Sequence, residues 1–314
     1  MNIFIDPLLF LQYLREISGG FLDSFFLSCT FYGEVTTAIL LMAIVYWCVD
    51  KKLGEYLFVS FASSNLVASF AKICACIYRP WILDSRVKPI SEALETATGY
   101  SFTSGHATNA TVIFGGAALR GNFSKILKII LICCFLLVGF SRCYVGVHSV
   151  LDVIFAIIFT VIVLFIINRL FNTLDDKPYL DVLISAVGIV LSFLVLFYAV
   201  TKSYPLDYDA AGTLIVDPAI STLYLYGFMG LNVGVFFSWL IERRFINFSS
   251  DGDFETRLIR LIIGFILVNA YFTIIQPLFG KTPWEFFISD FLMIVLVMLI
   301  YPAFIKYFQN KKES

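Results

Sequence analysis

The 314 residues contain two histidines, His106 and His148, and each sits among other reactive side chains. "SRCYVGVHSVLD", residues 141–152, sets Arg142 ahead of His148 and Asp152 four residues after it. At i and i+4, His148 and Asp152 are neighbours on one helical face if a helix begins near His148. "SFTSGHATNA" places Ser104, Gly105 and His106 at the head of an apolar run. A helix start offers unpaired N–H groups and a favourable dipole end to an anion, and glycine lets a ligand approach the backbone closely. "KICACIYRP" supplies Lys72, then Arg79 ahead of Pro80. On one continuous helix, Lys72 and Arg79 would share a face about 10 Å apart.

Assembled, these pieces make a phosphate site. Lys72, Arg79 and Arg142 can neutralise a phosphomonoester dianion and the added charge of its transition state, the arginines as forks and the lysine as a point charge. Ser104 and the N–H groups around Gly105 add preorganised donors. His148 can attack phosphorus through an unprotonated ring nitrogen, while Asp152 accepts a hydrogen bond from the other and fixes the tautomer. His106 is then free to protonate the leaving alkoxide and later to activate water. Each histidine could instead be a packed interior group, and Lys72 could snorkel to the surface. Their convergence favours the chemical reading.

The elements that must hold these residues are membrane helices. Hydrophobic residues make up 60% of the chain and charged residues 14%, against about 25% charged in a soluble protein. Apolar runs of roughly 18 residues or more recur from end to end. The expectation is an all-α, polytopic membrane helix bundle of about nine spans, over 24–48, 53–77, 104–120, 126–141, 149–170, 180–201, 219–241, 258–276 and 286–305. The chain reads as one membrane domain, 1–314, with a catalytic core over about 50–170 and additional helices over about 178–306. Asp6 and Arg15 interrupt the first apolar stretch, which reads as an amphipathic interfacial helix rather than a cleavable signal. Within the loop that follows the second span, "SEALETAT" is a candidate short helix.

With the N-terminus outside, 14 of the 22 basic residues fall in segments predicted inside and seven in outer ones. This bias predicts a multi-pass protein of the cell membrane with its C-terminus in the cytoplasm. The loops after the second and fourth spans, which hold the reactive residues, then face outward. Seven cysteines lie mostly in apolar spans and show neither a zinc spacing nor a disulfide framework, so they read as buried small hydrophobes. No cofactor is implied, and no basic tract points to nucleic acid. Glu34, Asn65, Asn109, Asn232, Asn269 and Asp290 are predicted to hydrogen-bond between helices. Gly230 and Gly234 form a small-xxx-small spacing suited to close helix packing. Asp84, Arg86 and Lys88 either touch a head group or form a solvated loop face.

The ordered set Lys-x6-Arg-Pro, Ser-Gly-His and Ser-Arg-x5-His-x3-Asp, spanning residues 72–152, resembles the type 2 phosphatidic acid phosphatase (PAP2) family. That family includes lipid phosphate phosphatases, glucose-6-phosphatase and vanadium haloperoxidases. The resemblance implies a PAP2-type core and metal-independent hydrolysis through a phosphohistidine at His148, with acid and base work by His106. Where the family usually has proline before the Ser-Gly-His triplet, this chain has Thr103, which can cap the helix start. The function expected is hydrolysis of a lipid phosphate monoester or diphosphate, with a phosphorylated lipid and the bilayer as partners. Glucose-6-phosphatase-like hydrolysis of a soluble phosphoester, lipid phosphotransfer, and transport of a phosphate lipid without cleavage are the alternatives.

Overall fold

A backbone crossing hydrocarbon must satisfy its own N–H and C=O groups, and helices do so within one segment. The computed structural model describes residues 3–209 and 211–313. Apart from an isolated bridge between Tyr208 and Leu214, its regular elements are all helical. In chain order they are α1 (Asp6–Ile17), α2 (Asp23–Phe31), α3 (Val35–Ile44), α4 (Lys51–Ala75), α5 (Pro80–Leu83), α6 (Ser91–Leu94), α7 (Gly105–Ala110) and α8 (Gly116–Arg120). The remainder are α9 (Lys125–Tyr144), α10 (Val150–Asn172), α11 (Leu180–Thr201), α12 (Pro218–Ile241), α13 (Phe254–Ala270), α14 (Pro283–Val295) and α15 (Tyr301–Glu313).

Among the described residues, seven helical stretches are long and apolar enough to cross a membrane, or eight if α2 and α3 form one span bent by 59°. Nine was therefore an overestimate. The segment predicted over 104–120 falls short. Its α7, the π-helical turn Thr111–Gly115 and α8 together reach about 24 Å at 1.5 Å per residue, against a hydrocarbon core of about 30 Å.

The chain divides into two compact units. The first takes residues up to Ala38, Val67–Leu164 and Thr201–Ser221; the second takes Ile39–Leu66, Phe165–Val200 and residues from Thr222 onward. In the first unit, α2 and α7 both pack on α9. Ile5 and Leu8, at and near the start of α1, are buried against Val87, Ala107, Cys143, Val153 and Ala156. Phe10, Tyr13 and Ile17 of the same helix are exposed, so α1 is apolar on its outward side as well. In the loop that follows α5, Arg15 Nη2 donates to Lys88 O at 2.7 Å, and Lys88 N to Gln12 Oε1 at 2.8 Å.

The turn from α9 to α10 depends on one glycine. Gly146 has φ +80, where an L-residue costs about 1–2 kcal/mol, and a Cβ there would stand 3.1 Å from Pro89 Cα. Gly146→Ala is expected to destabilise the protein by about that amount or more. A lower thermal unfolding midpoint in detergent checks this.

In the second unit, α12 lies close on α14. A side chain at Gly230 would collide with Phe287 O, and one at Gly234 would meet Phe291 O at 3.1 Å. The small-residue spacing therefore serves packing within the chain. The start of α4 and the residues that follow α12 share a charge cluster in which Glu55 and Glu242 are buried. Lys51 Nζ lies 2.9 Å from Glu242 Oε1 and 3.8 Å from Glu55 Oε1, while Arg243 and Arg244 pair with Asp175 and Asp181. None of the seven cysteines forms a disulfide; Cys29, Cys48 and Cys143 are buried, but Cys74 and Cys133 are exposed on apolar helices.

Candidate active site

Three segments far apart in sequence meet in the first unit, and a loop ties them together. α4 stops at Ala75, and Cys76 takes a left-handed φ of 47. Lys202 Nζ caps the helix end, donating to the carbonyls of Ile73 and Cys74. Arg79 is extended (φ −66, ψ 150) and precedes Pro80, the first residue of α5. A residue before proline avoids the helical region, so Lys72 and Arg79 do not share a helix face as the spacing suggested. They converge instead because residues 96–103 fold over both.

That loop supplies backbone carbonyls to the cations. Arg79 Nη2 donates to Thr98 O at 2.7 Å, its Nε to Gly99 O at 3.1 Å and its Nη1 to Val147 O at 3.0 Å. Lys72 Nζ donates to Tyr100 O at 2.7 Å and Thr103 O at 3.1 Å, so it is held in place rather than snorkelling. Arg142 is fully buried. It donates to Thr96 Oγ1 at 3.3 Å, while its Nε and Nη1 find no protein acceptor.

His148 lies in the turn before α10. Its Nε2 is 2.9 Å from Arg79 Nη1. A guanidinium nitrogen only donates, so Nε2 presents its lone pair and the ring proton sits on Nδ1. Burial first, and the Arg79 charge second, push the His148 pKa well below the ordinary histidine range, with Asp152 pulling the other way. The direct distance from Nδ1 to Asp152 Oδ2 is 3.7 Å, longer than a hydrogen bond. Ser101 Oγ bridges the gap. It lies 3.4 Å from Nδ1 and donates to Asp152 Oδ2 at 2.7 Å. Ser149 N also donates to that oxygen at 2.7 Å.

The helix carrying His106 begins at Ser104, whose side chain accepts from Ala107 N at 3.4 Å. Ser104 is therefore the cap, a role the sequence left open to Thr103. Open space lies beside Gly105, where a Cβ would meet nothing within 4 Å. His106 Nε2 has no protein partner.

Every catalytic and phosphate-binding residue singled out from the sequence lies in this unit; Arg79 meets His148 directly, and Ser101 bridges His148 to Asp152. Sequence reasoning missed Ser101, Thr96 and the carbonyl cradle; the sole available signal was a second serine three residues ahead of Ser104. Asp84, Arg86 and Lys88 stand in the loop between α5 and α6. Arg86 grips Asp84 at 2.7 Å, and that fork holds the Asp84 carboxyl at about 2. Of the remaining polar groups, Asn109 reaches Gly33 O at 2.9 Å, whereas Asn269 bonds Phe265 O on its own helix. Among the described residues, no group of His, Cys, Asp and Glu side chains is arranged to hold a metal ion.

Residues 54–176 match the PAP2 superfamily. Residues 226–312 match the transmembrane extension of PAP2 superfamily phosphatases. Over 208 residues the chain is 26% identical to lipid phosphate phosphatase delta of Arabidopsis thaliana, an alignment covering 61% of this chain and 49% of that protein. The chain thus spans about half the length of that curated relative. No solved structure matches it.

Proposed function

The chain belongs to the PAP2 superfamily, and on that premise we propose that it is a multi-pass membrane phosphatase hydrolysing a lipid phosphate. The observation that carries the reading is the 2.9 Å contact between His148 Nε2 and Arg79 Nη1. The contact keeps Nε2 unprotonated beside a cation that can hold a phosphate oxygen, and the lone pair becomes free to attack once a bound phosphate draws the guanidinium off it. The lipid phosphate phosphatase among its relatives supports a substrate with its tail in the bilayer.

In the proposed reaction, the phosphate enters among Lys72, Arg79 and Arg142, and its oxygens take the unclaimed Arg142 donors. His148 Nε2 attacks phosphorus, forming a P–N bond as the P–O bond to the alcohol breaks. His106 gives its proton to the departing alkoxide. The imidazolium formed at His148 keeps its proton on Nδ1, facing Ser101 Oγ and, through it, Asp152. His106 then removes a proton from water, which attacks phosphorus, breaks the P–N bond and frees inorganic phosphate. The three cations supply the charge neutralisation, so the cycle proceeds without a metal ion. The excess of basic residues in segments predicted inside supports an outward-facing site, an N-terminus outside and a cytoplasmic C-terminus, in a cell membrane.

Phosphate release by detergent-purified protein, in EDTA, over phosphatidate, lysophosphatidate, a polyprenyl diphosphate and glucose 6-phosphate tests the reading. Turnover of lipid phosphates that EDTA leaves intact supports it; release from none of them refutes it. Ser101→Ala is expected to lower kcat about tenfold with little change in KM, because it removes the bridge to Asp152 while leaving the phosphate cations alone. Steady-state kinetics on the best substrate check that split.

A further inference from the structure

Glu34 lies at the bend between α2 and α3, and its neighbour Gly33 presses on the helix that carries His106. A side chain at Gly33 would stand 2.7 Å from His106 Cβ and 2.8 Å from His106 O. Asn109 Nδ2 holds Gly33 O from the next turn of α7. The elbow is thus clamped to α7 at two points, which seats Glu34 beside the residue that serves the leaving group. The Glu34 carboxylate acts electrostatically on the Arg142 guanidinium. Yet among the described residues its side chain makes no hydrogen bond and no ion pair. Half-buried rather than sealed in, it remains available to a ligand.

A carboxylate whose field reaches Arg142 works against a dianion held there. That penalty is offset when the substrate itself brings a donor that the carboxylate can accept, and it stays in force against a substrate that brings none. We propose that Glu34 is a specificity-determining residue. It accepts a hydrogen bond from a hydroxyl or ammonium group on the alcohol half of the substrate, near the phosphoester oxygen. The site then favours single-chain lipid phosphates with a free donor there over diacyl ones. The inference rests on the phosphatase reading above, which puts the alcohol half of the substrate next to His106.

The test compares kcat/KM for lysophosphatidate, sphingosine 1-phosphate and dioleoyl phosphatidate in detergent micelles, for the wild type, Glu34→Gln and Glu34→Ala. Lysophosphatidate offers a hydroxyl, sphingosine 1-phosphate an ammonium, and phosphatidate an ester at the corresponding carbon. The ratio of kcat/KM on a donor-bearing substrate to that on phosphatidate is expected to fall about tenfold or more in both variants. A fall confined to sphingosine 1-phosphate identifies ammonium as the group read; a fall confined to lysophosphatidate identifies hydroxyl. Ratios within about twofold of wild type for both substrates overturn the proposal, whatever happens to the absolute rates, and leave Glu34 as a support for Arg142 or His106. Failure of the phosphatase reading looks different, since the wild type would then release phosphate from none of the three.

Discussion

His148→Ala is expected to lose about 10⁴-fold or more in kcat, because in the proposed reaction His148 Nε2 is the atom that takes the phosphoryl group. The residual rate reflects what the cations contribute by holding the phosphate. A partner experiment separates nucleophile from general acid. With an aryl phosphate the leaving group needs little protonation, so His106→Asn still transfers phosphate to His148. It lacks the base that activates water, and the phosphoenzyme accumulates. Label bound to protein that is lost in acid and kept in alkali marks a phosphoramidate, and it should vanish in the double variant. His148→Ala protein that keeps wild-type turnover while eluting as a folded species would refute the assignment. Carboxylate-linked label would do so as well.

Arg142→Met loses about 10²–10³-fold in kcat/KM without losing stability. Arg142 is fully buried, with one 3.3 Å bond to Thr96 and two nitrogens that the protein leaves unclaimed. Removing a guanidinium from water costs several kcal/mol unless its donors are fully used. A methionine of similar length relieves that burden, so the thermal unfolding midpoint should stay level or rise. Arg142→Lys should not restore activity, since a single ammonium cannot reproduce a fork that addresses two phosphate oxygens. Kinetics and thermal unfolding on the same preparations settle the matter. A variant that unfolds at lower temperature with near-normal turnover would make Arg142 a structural group instead.

The sequence was sufficient for the membrane class and for the family, and it singled out the side chains to which the proposed chemistry is assigned. Long apolar runs must be helices in lipid, and ionisable groups rarely persist there without a use. Lys72, Arg79, His106, Arg142, His148 and Asp152 stood out because charge is scarce in this chain. What composition could not reveal was where the helices stop. The α4 helix ends at Ala75 because Pro80 disfavours helix at Arg79 and because Lys202, far along the chain, takes the last carbonyls. The third span stayed short for want of residues rather than of apolarity. Tertiary structure alone decided how the cations are held, since backbone carbonyls at Thr98, Gly99, Tyr100 and Thr103 leave no mark in the residue types. It alone placed Ser101 between His148 and Asp152, because 3.7 Å is too long for a direct bond and a hydroxyl fits the gap. Glu34 entered the site the same way. A lone glutamate in an apolar run carries no address, and only the contact of Gly33 with His106, made when α2 bends into α3, brings it beside the chemistry.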